Sequence, residues 1–203
     1  MYHRYIKLPV SHKKPMCFDT QPTEPTVIFV NKEYIDYSVV KCIESFGAIV
    51  SNVTEGIYTP PNHKKLHIHN DTNTITNATK INFTWGPNNS VTRWWKVKDK
   101  MSLKIDVTDS THILQSVDPD IVGSFDAQKN HSELYCEDEN LCDLVCERVI
   151  DRPSLINVGQ LHSTYNPHAT EGRWTLCFFL LKSDYTHLQF DEAVEIFKDI
   201  AHE

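Results

Sequence analysis

The middle of this chain is a succession of short segments rich in β-branched and aromatic residues. They fall at 56–59, 66–70, 77–85, 91–97, 102–107, 111–115, 144–150, 154–158 and 173–182. Pro60-Pro61-Asn62 and Gly86-Pro87-Asn88-Asn89 mark two of the turns between them, since proline presets one backbone angle and glycine and asparagine tolerate left-handed ones. Many short strands separated by turns predict an all-β barrel or sandwich rather than a βαβ sheet. Helical periodicity is confined to two places. Ile35, Val39, Ile43 and Phe46 recur at helical spacing, with Asn31 as a candidate cap and Gly47 as a stop; Phe190, Val194, Phe197 and Ala201 repeat the pattern after Asp191. A strand at 26–30 precedes the first helix, and residues 1–26, with Pro9, Pro15, Pro22 and Pro25, read as an extended lead-in.

With 203 residues the chain is long enough for one sizeable core, and residues 1–203 are expected to form a single domain. The acidic, weakly patterned segment 117–143 is expected to be an insert, either a lid or a mobile loop. A formal charge of -7 and a pI near 5.9 argue against long nucleic acid as a partner, because such binding rests on many cationic contacts to phosphate. No apolar run approaches the length of a membrane span, and Met1-Tyr2-His3-Arg4 is not followed by the apolar core of a secretory signal. The expectation is a soluble protein of the cytoplasm, with six cysteines (17, 42, 136, 142, 146 and 177) as reduced and mostly buried thiols, no disulfide and no structural zinc.

Two distant pieces look like halves of one metal site: Leu66-His67-Ile68-His69-Asn70-Asp71 and Leu155-Ile156-Asn157-Val158-Gly159-Gln160-Leu161-His162. A histidine and a carboxylate at i and i+2 project to one side of a strand, so His69 and Asp71 can share an ion if the strand holds that far. His162 would complete a set of two imidazoles and one carboxylate, a donor set that leaves metal positions open for other ligands. Eleven residues on, Arg173 opens the apolar strand Arg173-Trp174-Thr175-Leu176-Cys177-Phe178-Phe179-Leu180-Leu181. Its planar, permanently charged fork suits a carboxylate, and Thr175, two residues on, shares its face.

His-x-Asp, a distal His, then Arg and a hydroxyl residue at Arg+2 is a pattern that resembles the Fe(II)/2-oxoglutarate-dependent oxygenases, which share a double-stranded β-helix (jelly-roll) fold. More narrowly, Ile57-Tyr58-Thr59-Pro60-Pro61, Leu66-His67-Ile68-His69-Asn70-Asp71, Lys80-Ile81-Asn82, Pro87-Asn88-Asn89-Ser90 and Arg152-Pro153-Ser154-Leu155-Ile156-Asn157 are similar to small phage-encoded or marine members related to aspartyl/asparaginyl hydroxylases. The resemblance covers roughly residues 55–182. It implies Fe(II) on His69, Asp71 and His162, the far carboxylate of 2-oxoglutarate on Arg173 with help from Thr175, and Asn82 and Tyr58 as further contacts to co-substrate or substrate. It also implies hydroxylation of an unidentified substrate, a protein or amino-acid side chain being one class, and, for a phage protein, the host cytoplasm as its place. Two departures stand out: Asn70 is polar where an apolar residue is commoner, and Asp71 can belong to the turn Asn70-Asp71-Thr72-Asn73.

Other readings use the same residues. His67 alternates with His69, and Gly159-Gln160-Leu161-His162-Ser163-Thr164-Tyr165-Asn166 matches the second half of a cupin motif. A cupin-type metal barrel wants a glutamate four or five residues after its His-x-His pair, where this chain has Asn73 and Thr74, and it gives Arg173 no task. A third class is a non-catalytic phage structural or binding protein. Trp85, Trp94 and Trp95 could stack a flat substrate, although aromatic residues on strands more often pack a core.

Overall fold

A computed structural model of the chain describes residues 1–32, 35–51, 53–63, 68–72, 74–87, 90–108 and 131–203. Its elements, in chain order, are β1 (His3–Ile6), β2 (Thr26–Asn31), α1 (Tyr37–Ser45), β3 (Ile49–Val50), β4 (Val53–Thr59), β5 (Ile68–His69), β6 (Thr79–Trp85), β7 (Val91–Val97), β8 (Lys104–Thr108), β9 (His131–Cys136), β10 (Cys142–Val149), β11 (Ser154–Asn157), β12 (His162–Tyr165), β13 (Arg173–Leu181), α2 (Phe190–Ile196) and β14 (Ala201–His202). The fold is mainly β. An eight-stranded sheet runs β14-β1-β11-β6-β13-β4-β2, with β3 attached to β13, and a six-stranded sheet runs β10-β7-β12-β5-β9-β8. Pairing is antiparallel throughout the described strands.

Strand alternation divides the larger sheet into two working faces. On β13, Trp174, Leu176, Phe178 and Leu180 join the main apolar core, while Arg173, Thr175 and Cys177 turn the other way into a pocket. β6 divides likewise, Ile81 and Phe83 to the core and Lys80 and Asn82 to the pocket; so does β4, with Tyr58 to the core and Ile57 and Thr59 to the pocket. The core face is covered by both helices, through Val39, Val40 and Ile43 of α1 and Phe190 and Ala193 of α2. The pocket face looks toward the smaller sheet, which supplies His69, Thr92, His162 and Thr164 to the same pocket. Trp94 of β7 packs with Ile150, Ile156 and Val158, and its indole N–H donates to the Asn157 carbonyl at 3.0 Å.

Several local expectations change. β2 continues through Asn31, so Asp36 caps α1 instead, accepting from the Ser38 N–H at 3.0 Å. Gly47 does end that helix, at φ 101, a backbone angle that favours glycine. Residues 1–26 are more than a lead-in: β1 pairs with β11 and β14, and Phe18 stacks on Trp174 at 4.3 Å, in space that only a glycine at position 56 leaves open. The second helix stops at Ile196, and Ala201 lies in β14. Gln189 caps it, in a reciprocal box with Glu192.

The segment expected as an insert at 117–143 is regular where it is described, since β9 pairs with β5 and β8, and β10 begins at Cys142 and runs along β7. β10, expected at 144–150, is an edge strand on which Asp143, Leu144, Val145, Glu147 and Arg148 are all exposed. Residues 117–130, the strand expected at 111–115 and His67 lie outside the described residues. Trp94 and Trp95 are buried and hydrogen-bonded, Trp95 to the Ser163 hydroxyl at 3.0 Å, so they pack the fold instead of presenting a stacking surface. The six cysteines are free thiols, of which Cys136, Cys142 and Cys177 are buried and the others partly exposed. Among the described residues no helix is long and apolar enough to cross a membrane.

Candidate metal centre

The two histidines meet because their strands are neighbours. β12 pairs with β5 with His162 directly opposite His69, and residues so opposed share one face of a sheet. Their rings lie 4.7 Å apart between centroids. His162 opens β12, and its Nδ1 lies 2.9 Å from the Gln160 carbonyl. A carbonyl can only accept, so Nδ1 carries the hydrogen and Nε2 presents its lone pair to the pocket. Burial pushes the His162 pKa down to about 4 against the attraction of Asp71. The ring is therefore neutral near pH 7 and has no proton for a metal to displace.

Asp71 arrives by a different route from the one its spacing implied. β5 ends at His69, and Asp71 sits in a bend beyond it, so strand alternation does not place its carboxylate. Asn70 does. This residue is fully buried; its amide Nδ2 donates to the carbonyls of Thr74 at 2.8 Å and Gly159 at 3.2 Å, while Oδ1 accepts from the Leu134 N–H at 3.0 Å. The Asp71 N–H itself donates to the Val158 carbonyl at 3.0 Å. Asn70 is thus a clamp that ties the Asp71 bend to β9 and to the turn before β12.

In this arrangement Asp71 Oδ1 lies 3.4 Å from His69 Nε2 and 3.5 Å from His162 Nε2. The three ligand atoms all lie within 4.8 Å of one another, the group able to hold a metal ion among the described residues. Asp71 Oδ2 accepts from Lys80 Nζ at 2.6 Å, and Lys80 also donates to Glu55 Oε2. Burial acts to raise the Asp71 pKa, but Lys80 and the two imidazoles more than offset it and hold the carboxyl well below its usual range. Lys80 is shifted the other way: burial would lower it, and Asp71 with Glu55 keeps it firmly protonated.

Arg173 enters the same pocket from β13, together with Thr175 and Asn82. It is 3% exposed; its Nε donates to the Thr175 hydroxyl at 3.3 Å, and its Nη1 is buried without a hydrogen-bond partner. Burial pushes its pKa down to about 10, so it stays charged near neutrality. Asn82 Oδ1 is likewise buried and unpartnered. Buried polar groups are normally satisfied, and a buried cation without an ion-pair partner is costly, so these two atoms of the pocket are available to a polar ligand. Cys177, beside them, is pushed up to about 12 by burial and remains a thiol.

The structure brings His69, Asp71, His162, Arg173, Thr175 and Asn82 together, and it does not bring Tyr58. Tyr58 alternates to the opposite face of β4, where it packs on Trp174 with ring centroids 5.0 Å apart. Sequence reasoning missed Lys80, Glu55 and Asn70 as parts of the centre. For Lys80 a signal existed: it stands two residues before Asn82 on one strand, hence on the same face.

No family model and no curated protein matches the chain. Among solved structures it is similar to Peruvianin-I, a cysteine peptidase from Thevetia peruviana latex, at 11% identity and a TM-score of 0.32, covering 88% of this chain and 74% of that one. An oxalate oxidase in complex with the substrate analogue glycolate gives 13% identity and a TM-score of 0.33, with 88% and 73% covered. A recombinant oxalate oxidase with glycolate gives 14% and 0.28, with the same coverage. At identities and scores this low, none of them bears on the chemistry of the pocket.

Proposed function

We propose that this protein is an Fe(II)- and 2-oxoglutarate-dependent oxygenase, built on a double-stranded β-helix whose two sheets hold the site between them. The observation that carries the reading is Arg173: a buried guanidinium with an unpartnered nitrogen, in the same pocket as a group of two histidines and one aspartate. Two imidazoles and one carboxylate suit a divalent transition metal and leave positions for other ligands. His69, Asp71 and His162 would hold it, and Arg173 with Thr175 would hold the far carboxylate of the diacid, with Asn82 Oδ1 as an acceptor within the pocket.

The buried charges support a dianion. Lys80 and Arg173 balance Asp71 and Glu55, so a divalent cation leaves the pocket two charges positive, and a dicarboxylate restores neutrality in a place where unbalanced charge is expensive. With Fe(II) bound, 2-oxoglutarate and O2 would give succinate, CO2 and a substrate bearing one new hydroxyl group. The protein's own part is positioning: His162 is held neutral by burial and oriented by the Gln160 carbonyl, Asn70 fixes the Asp71 bend, and Ile57, Ile156 and Val158 give the pocket apolar walls.

The test is consumption of 2-oxoglutarate with matching succinate formation under Fe(II) and air, abolished in His162→Ala and Asp71→Ala. A second reading, a cupin-type metal site, rests on the same three ligands and needs the metal but no diacid. Metal binding by a protein that ignores 2-oxoglutarate would decide for it. A non-catalytic binding protein would need neither.

A further inference from the structure

We propose that Lys80, braced by Glu55, is a positioning residue that confines Asp71 to one coordinating oxygen; this rests on the metal reading of the site. The two oxygens of Asp71 have different surroundings. Oδ1 faces both imidazoles, at 3.4 and 3.5 Å, whereas Oδ2 is taken by Lys80 Nζ at 2.6 Å. A carboxylate free to turn can bind a cation through either or both oxygens. One whose second oxygen accepts from a buried ammonium cannot, unless that ammonium lets go.

Lys80 is poorly able to let go. Its side chain is 1% exposed, its Nζ also donates to Glu55 Oε2, and it lies 4.1 Å from the centroid of the Phe179 ring. Withdrawing from Asp71 would leave a buried charge with half its compensation. Glu55 stands on β4 and Lys80 on β6, so the brace spans two strands that flank β13 in the sheet and does not depend on the Asp71 bend itself. The consequence is a count of open positions. A one-oxygen Asp71 leaves a six-coordinate metal three positions, which a two-point 2-oxo acid and one further ligand fill; a two-oxygen Asp71 leaves two.

A buried ion pair with a structural role alone makes a different forecast, because exchanging it for uncharged groups of similar size often leaves a fold intact and would leave coordination untouched. The test compares Co(II)-loaded wild-type protein with the double variant Lys80→Met/Glu55→Gln, which removes opposite charges together and keeps the local sum. The inference expects the variant to bind Co(II) at least as tightly as the wild type, with an altered visible spectrum, and to bind 2-oxoglutarate at least about tenfold more weakly, the lower end of what second-layer substitutions at metal sites cost. A folded variant with the wild-type spectrum and wild-type 2-oxoglutarate affinity overturns it.

A crystal structure of the Co(II)-loaded wild type gives an answer even if the variant does not fold. Asp71 bound through Oδ1 alone, with Oδ2 still on Lys80, supports the inference; both oxygens on the metal overturn it. Wild-type protein that binds no Co(II) overturns the metal reading and this inference with it. Wild-type protein that binds Co(II) through one Asp71 oxygen and ignores 2-oxoglutarate overturns the oxygenase proposal and leaves the role of Lys80 standing.

Discussion

Arg173 is a residue whose removal should separate stability from binding. Its guanidinium is buried with one nitrogen unpartnered and makes no ion pair among the described residues, so Arg173→Gln removes a costly buried charge, and the apo protein should melt no lower than wild type. The same change should weaken 2-oxoglutarate binding about 10–100-fold, from the ~1.5–3 kcal/mol of hydrogen bonds to charged groups, with Co(II) affinity unchanged. Paired calorimetric melts and ligand titrations read both. His3 gives a pH prediction remote from the centre. Burial, with Arg148 and Arg4, lowers its pKa from 6.5 to about 4. The unfolded chain therefore binds the extra proton first as pH falls, and the stability contributed by the neutral ring, complete above pH 6.5, is lost between there and pH 4. In His3→Gln the melting temperature should fall less steeply across that window, by a few degrees where the loss is about 1 kcal/mol. The residue scale is also where the sequence was most legible: His69, Asp71, His162, Arg173 and Thr175 were chosen on residue type and spacing, and all line one pocket. Tyr58 was not separable from them, because which face of β4 it takes depends on a register that sequence alone leaves open.

At the scale of elements, the decisive piece is the turn between β11 and β12, which carries His162 and anchors Asp71. Gly159 lies within it: its N–H donates to the Ala78 carbonyl at 3.2 Å, and its own carbonyl accepts from Thr76 N–H and from Asn70 Nδ2. A methyl group there would sit 2.2 Å from Thr76 Oγ1 and 2.6 Å from the Ala78 backbone nitrogen. The backbone cannot yield cheaply, so Gly159→Ala should destabilise by about 2 kcal/mol or more. It should also loosen the Asp71 bend, and metal affinity should drop in the fraction that folds, as denaturant titration and Co(II) binding would show. β6, β7 and β13 lie close to the bounds expected for them, because β-branched and aromatic residues crowd these strands whichever face they bury. β10 was legible too, expected at 144–150 and observed at Cys142–Val149, whereas β9, inside the segment expected as an insert, was not. Asn31 misled as a cap: it is a good capping type, but β-pairing with Val53 claims its backbone first.

For the whole molecule, the centre is a junction of two sheets, and a metal bound there should stabilise all of it. A divalent cation at a hundred times its dissociation constant adds ~2.7 kcal/mol, or roughly 5–10 °C for a chain of this size. Co(II) should raise the melting temperature by that amount in the wild type and not in His69→Ala or Asp71→Ala; an equal shift in those variants would place the ion elsewhere. The sequence by itself determined the mainly β class of fold, the two helices and the candidate residues His69, Asp71, His162 and Arg173, since these follow from local periodicity and from the chemistry that each side chain can perform. What only the tertiary structure decided is how those residues are held: the cross-strand register that faces His69 with His162, the Asn70 clamp, and the ammonium of Lys80 between Asp71 and Glu55. Each of these joins residues from different strands or loops, and such pairings are set by the free energy of burying whole faces together, which no short stretch of sequence contains.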